Sequence, residues 1–132
     1  MTPLELKKIL HIEDEYDIQT VAKLSLETLG GFTVHTCSSG EEALDSIYDF
    51  NPDLILLDVM MPVIDGPTVL KEIRKIEQFQ NTPIIFMTAK AQTNEVETYK
   101  SYPGVLGIII KPFNAVLLPQ EIKELWRNHH GM

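Results

Sequence analysis

Apolar residues along the chain fall into two alternating textures. Four short continuous runs are Ile9-Leu10-His11-Ile12, Leu54-Ile55-Leu56-Leu57, Ile84-Ile85-Phe86-Met87 and Val105 to Ile110. They lack the period-two alternation of a strand with one wet face, so they predict strands buried on both faces, the habit of parallel sheets covered by helices. Phe32-Thr33-Val34-His35-Thr36 is more mixed and predicts an edge strand. Longer amphipathic stretches lie between the runs. Val21, Leu24, Ser25, Thr28 and Leu29 share one helical face, and Gly30-Gly31 stops that helix. Ser39-Gly40-Glu41-Glu42 opens a second helix with Ala43, Leu44 and Ile47 inward, and Asn51-Pro52 ends it. Val69, Leu70, Ile73 and Ile76 mark a third. A fourth, roughly Thr93 to Ser101, is weak in apolar residues and is expected to be mobile. The last runs from about Pro119 to Arg127, or starts nearer Asn114, with Ile122, Leu125 and Trp126 toward the sheet.

Five strands alternating with five helices predict an α/β doubly wound parallel sheet. The edge-like second strand favours the flavodoxin-like order 2-1-3-4-5, with helices on both faces. The 132 residues fit one domain, with a core of about 7–127, a short C-terminal tail and no second domain expected. A net charge of -8 argues against binding nucleic acid by phosphate neutralisation, but leaves room for an acidic pocket that holds a cation. The single cysteine, Cys37, excludes an internal disulfide and reads as a small buried thiol. Met1 to Lys8, with Glu5, Lys7 and Lys8, is not a signal peptide. No run approaches the ~20 apolar residues that cross a bilayer. A cytoplasmic protein is therefore expected.

In such a sheet, ligands bind outside the carboxyl ends of the strands, near the switch in strand order. The first strand ends in Glu13-Asp14, the third in Asp58, the fourth in Thr88 and the fifth in Lys111-Pro112. Taken singly, each has an ordinary explanation. Glu13 or Asp14 could cap a helix, Asp58 could be a loop acid, Thr88 a strand residue and Lys111 a solvated lysine. Their convergence on one sheet edge is what points to chemistry. Three crowded carboxylates cannot all stay ionised without positive charge, and oxygen ligands suit Mg²⁺. An aspartate between Mg²⁺ and a lysine, beside a hydroxyl donor, is placed to attack a phosphoryl group.

Four separated motifs carry a family resemblance. Ile12-Glu13-Asp14-Glu15, Asp53-Leu-Ile-Leu-Leu-Asp58-Val-Met-Met-Pro62-Val-Ile-Asp65-Gly66, Pro83-Ile-Ile-Phe-Met-Thr88-Ala89 and Lys111-Pro112-Phe113 resemble the receiver domains of response regulators in two-component systems. The resemblance spans about Lys7 to Trp126. It implies that Asp58 is the phosphoacceptor of a stand-alone receiver that is a signalling protein rather than an enzyme on another substrate. Asp14, Asp58 and the backbone carbonyl of Met60 would ligate Mg²⁺ directly, and Glu13 through a bound water. Thr88 and Lys111 would contact the phosphoryl group, and the Lys111-Pro112 bond would be cis. The implied donor is a histidine kinase or a histidine phosphotransfer protein. The implied output is altered binding to a downstream protein target, or onward transfer of the phosphoryl group as a relay. Two positions depart from the family habit. Ile108 stands where receivers usually carry a switch aromatic, which predicts a smaller side-chain switch with backbone movement near Ala89 and Lys90. Met60 and Lys90 offer no carboxylate or amide to position a hydrolytic water, so slow self-dephosphorylation is expected.

Other readings fit less well. A haloacid-dehalogenase-type phosphohydrolase needs a second acid where Met60 stands. A flavodoxin-like electron carrier needs a glycine- and hydroxyl-rich loop where Glu13-Asp14-Glu15 would repel phosphate. No Gly-x-x-x-x-Gly-Lys-Ser/Thr run is present. A pseudo-receiver usually lacks one of the acids or the lysine, and none is missing. His129-His130 reads as a disordered tail before a metal site, and Tyr99 and Tyr102 read as a partner surface or as cover for the fourth helix.

Overall fold

The computed structural model describes residues 5–89 and 92–131. Strand β1 (Lys8–Ile12) leads to helix α1 (Tyr16–Leu24), which continues as a π-helical turn over Ser25–Leu29. Then come β2 (Thr33–Cys37), α2 (Gly40–Phe50), β3 (Leu54–Asp58), α3 (Gly66–Arg74) and a short 3₁₀ turn at Glu77–Phe79. The chain closes with β4 (Ile84–Thr88), α4 (Thr93–Lys100), β5 (Val105–Ile110) and α5 (Leu118–His129). All strand pairs are parallel and the sheet order is β2-β1-β3-β4-β5, as the sequence predicts. No helix among the described residues is long and apolar enough to cross a membrane.

The continuous apolar runs are buried on both faces because each face meets helices. Leu10, Ile12, Ile55, Leu57, Ile84 and Phe86 pack with Ala43, Ile47, Val69, Leu70 and Ile73 from α2 and α3. Ile9, Leu54, Leu56, Ile85 and Met87 pack on the other face with Ala22, Leu26, Leu118, Ile122 and Trp126 from α1 and α5. Burying one such side chain is worth about 1.5–3 kcal/mol, so this two-sided core makes the strand ends a rigid base. Local signals set the helix ends. The Ser39 hydroxyl accepts from the Glu42 amide and the Asp65 carboxylate accepts from the Thr68 amide, each at a helix N-terminus. Asn51 closes α2 in the left-handed conformation. The free edge of β2 is guarded by Glu27, whose carboxylate accepts from the Val34 amide at 3.2 Å.

Three sequence expectations are corrected. Of the face expected inward on α1, only Ser25 is buried; Val21, Leu24, Thr28 and Leu29 are exposed, and Ala22 and Leu26 face the sheet instead. The Ser25 hydroxyl donates to the Ala115 carbonyl, which accounts for a buried serine. The wider π turn carries Leu29 off the line that an α-helical period extrapolates. Strand β5 is only partly covered: Ile109 is buried, but Ile108 is half-buried and Ile110 exposed. It is the sheet edge, and α4 above it contributes no buried residue. Finally, His130 packs on the Trp126 ring at 4.2 Å, so the histidine pair belongs to the end of α5 rather than to a loose tail.

Two backbone positions near the end of β3 stand out. At Gly66 a Cβ would run into the carbonyl oxygen of Asp58 and lie 2.9 Å from the Val59 Cα, so only glycine lets α3 start this close to the strand. Val63 has φ +68° and is 96% exposed, a β-branched residue in the left-handed region with no packing to offset the strain. Val63→Gly is expected to raise stability by up to about 1 kcal/mol, part of the strain relief being offset by glycine's unfolded-state entropy. Chemical denaturation checks this, and a loss of stability would contradict it.

Candidate functional site

The strand ends deliver their side chains to one place. Glu13 follows β1, and its amide donates to the Cys37 carbonyl at 2.9 Å, extending the β1–β2 ladder by one residue. Asp58 closes β3, in register with Met87 of β4. Lys111 follows β5, and its amide donates to the Thr88 carbonyl at 2.9 Å. The Lys111-Pro112 peptide is cis, as expected. The Lys111 Nζ lies 3.0 Å from Glu13 Oε1 and 3.2 Å from Asp58 Oδ1, with Glu13 and Asp58 buried. Glu13 Oε2 also accepts from the Glu15 amide at 3.1 Å, and Asp58 Oδ1 from the Met60 amide at 3.4 Å. Oxygens of Glu13, Asp14 and Asp58 all lie within 4.8 Å of one another. Thr88 is fully buried at the end of β4.

Among the described residues, Lys111 is the cation paired with the buried acids. Burial pushes the Glu13 carboxyl up from 4.5 to about 7; its bonds to Glu15 and Lys111 oppose the shift, and the Asp58 charge adds to it. Burial also raises Asp58, against the pull of Lys111. For Lys111 burial works downward, but the bond to Glu13 and the charges of Asp58 and Glu13 outweigh it and hold the ammonium firmly protonated. One lysine thus serves two buried carboxylates. Asp14 Oδ1 is buried with no hydrogen-bond partner among the described residues. An unpartnered carboxylate oxygen beside two others is a donor set suited to a hard divalent cation.

The cluster opens to a cavity of about 520 Å³ lined by Asp58, Lys111, Met60, Ala89, Ile18, Val21 and Phe113, among others. Its wall is largely apolar around a polar floor, an arrangement that admits a small charged group and leaves an apolar rim for whatever delivers it.

The family model described as "Response regulator receiver domain" matches residues 9–123. The chain belongs to this family. Among similar proteins, the probable C4-dicarboxylate response regulator DctR of Halalkalibacterium halodurans is 41% identical over 109 residues, covering 82% of this chain and 46% of that protein. The transcriptional regulatory protein SrrA of Staphylococcus aureus is 38% identical over 121 residues, covering 91% and 48%. The chain therefore spans about half the length of these curated relatives. Among solved structures, the chemotaxis protein CheY4 of Vibrio cholerae superposes with a TM-score of 0.81 at 27% identity, covering 92% of this chain and 99% of that one. The receiver domain of Francisella response regulator 1452 has a TM-score of 0.78 at 33% identity, covering 93% and 98%.

Within this receiver, all five side chains singled out from the sequence meet at one edge. Glu13 pairs directly with Lys111, a contact that strand-end reasoning does not supply. Lys90 lies outside the described residues. Cys37 is buried as expected, and burial pushes its thiol up to about 11. Sequence reasoning also passed over His11. It is fully buried on β1, with neither ring nitrogen hydrogen-bonded to a described residue, and burial lowers it to about 4, with the Lys111 charge adding. A histidine inside an apolar strand run gave only the signal of its own polarity. Gln19, whose side chain donates to the Glu13 carbonyl at 2.5 Å, gave none.

Because Glu13 titrates near 7 folded and near 4.5 unfolded, the folded state holds the extra proton between these values and loses stability as pH rises through them. His11, lowered from 6.5 to about 4, works the other way over most of that range. Comparison with Glu13→Gln isolates the acid. In chelator, the melting temperature of the variant should exceed that of the parent by a margin that widens from about pH 5 to about pH 7.5. Added Mg²⁺ should narrow it. A margin independent of pH would contradict the raised Glu13.

Proposed function

We propose that this receiver takes a phosphoryl group onto Asp58 from a phosphohistidine of a histidine kinase or phosphotransfer protein, with Mg²⁺ bound, and signals through changed binding to a protein target. The observation that carries the reading is a buried Asp58 carboxylate held 3.2 Å from Lys111 Nζ at the floor of an open cavity, beside two further carboxylates.

The step is a displacement at phosphorus. An Asp58 carboxylate oxygen forms the new P–O bond while the P–N bond of the donor imidazole breaks. The donor ring carries a proton on its other nitrogen, so when the electron pair leaves with the nitrogen of the broken bond the ring departs as neutral histidine. Asp14, Asp58 and the Met60 carbonyl would hold Mg²⁺, with Glu13 acting through a bound water. The metal, when bound, supplies positive charge against the phosphoryl oxygens. Lys111 moves from its Asp58 contact to a phosphoryl oxygen and keeps its pair with Glu13. The Thr88 hydroxyl donates to another phosphoryl oxygen. The apolar rim of Ile18, Val21, Met60 and Phe113 gives the protein donor a surface to rest on.

Incubation with a small acyl phosphate and Mg²⁺ should add one phosphoryl group by intact-protein mass spectrometry, and Asp58→Ala should gain none. Lys111→Ala should slow the labelling about 10²–10³-fold, the usual cost of removing one preorganised donor. Equal labelling of Asp58→Ala would sink the assignment.

A further inference from the structure

Helix α4 is the loosest element of the sheet's cover. None of its residues is buried. What ties it down is aromatic. Tyr99, in its last turn, and Tyr102, just beyond it, both lie against the fully buried Phe86 of β4, with ring centroids 5.6 and 6.1 Å away. Phe86 precedes Thr88 by two residues on one strand, so both side chains point to the same face. On the neighbouring β5, Ile108 stands beside Phe86 and Ile110 beside Thr88. Ile108 is half-buried in this cluster and, being β-branched, has little χ1 freedom.

Burial and the charges of Glu95, Tyr102 and Asp65 hold the Tyr99 phenol above the usual range. Asp65 caps α3 at the end of the segment that leaves Asp58, and Gly66 returns a hydrogen bond to Val59 at 2.9 Å. The Tyr99 ring rests on the strand that ends in Thr88.

We propose that Tyr99, seated on Phe86 with Tyr102 as a second wall, is the side chain through which the state of Asp58 sets the position of α4. This rests on the reading that Asp58 takes up a phosphoryl group. Such a group adds charge and acceptor oxygens between Thr88 and the Asp58–Asp65 segment. Thr88 is drawn to it, and α4 begins only five residues later in the chain. A helix without buried side chains yields readily, and the ring that holds it must slide or turn on Phe86 when it does. Ile108, inside the same cluster, has no ring with which to report the change.

NMR with beryllofluoride and Mg²⁺ as the phosphoryl mimic tests this. In the parent, the Thr88 amide, the amides of residues 93–100 and the Tyr99 ring signals should all move. In Tyr99→Leu the Thr88 amide should still move, showing that the mimic has reached Asp58, while the α4 amides should move less than half as far as in the parent. Tyr99→Phe should restore the full response, because the ring carries the coupling. A parental α4 response in Tyr99→Leu would overturn the proposal, as would Tyr99 ring signals that stay still while α4 moves. An unresponsive Thr88 in the parent would sink the phosphoacceptor reading and this one with it.

Discussion

The ammonium of Lys111, 3.0 Å from a Glu13 oxygen and 3.2 Å from an Asp58 oxygen, ties together the ends of β1, β3 and β5. Each partner arrives from a different strand, and none could be placed by local sequence alone. The constraint is one of charge. Glu13, Asp14 and Asp58 crowd one edge, Lys111 is the lysine that pairs with them among the described residues, and burial denies Glu13 and Asp58 water. Two consequences follow from this one imbalance: protons are retained on the buried acids at pH values where an exposed carboxylate would have lost them, and the donor set is suited to a divalent cation.

A cluster this strained needs a stiff support. The support is the two-sided core, in which β1, β3 and β4 are almost wholly buried between α2 and α3 on one face and α1 and α5 on the other. Gly66 lets α3 begin directly against the Asp58 carbonyl, fixing the segment that follows Asp58. The edge of the sheet is built differently. Strand β5 is partly open, and α4, with no buried residue, rests on Phe86 of β4 through the Tyr99 ring. Rigid acids beside a loose helix are the parts a signalling domain needs. Chemistry requires fixed geometry, and output requires an element that moves at low cost.

Much of this was legible in the sequence, for identifiable reasons. Parallel strands buried on both faces leave unbroken apolar runs, and the residue ending each run is by topology at the ligand edge. Glu13, Asp14, Asp58, Thr88 and Lys111 could therefore be placed together before any coordinates. Periodicity failed on α1, where the residues that look like the inner face, Val21, Leu24 and Leu29, lie outside. The π turn bears on Leu29 alone, and that Ala22 and Leu26 rather than Val21 and Leu24 meet the sheet is a tertiary fact with no local pattern. The run in β5 suggested two covered faces because composition cannot say which helix covers an edge. The strain at Val63 was invisible because valine is a poor residue for a left-handed turn. The Glu13–Lys111 pair joins residues 98 positions apart and appears only once the sheet order is known.

Burial holds the Glu13 carboxyl up at about 7 in a cluster whose oxygens suit a divalent cation, so Mg²⁺ and a proton should compete for it. Calorimetric titration of Mg²⁺ in two buffers of different ionisation enthalpy counts the protons released on binding. At about pH 6.5, below the raised Glu13 value of about 7, binding should release a substantial fraction of one proton, and at about pH 8.5 almost none. Release that is absent at both pH values would contradict the account, because the cation would then be entering a site whose acids were already ionised.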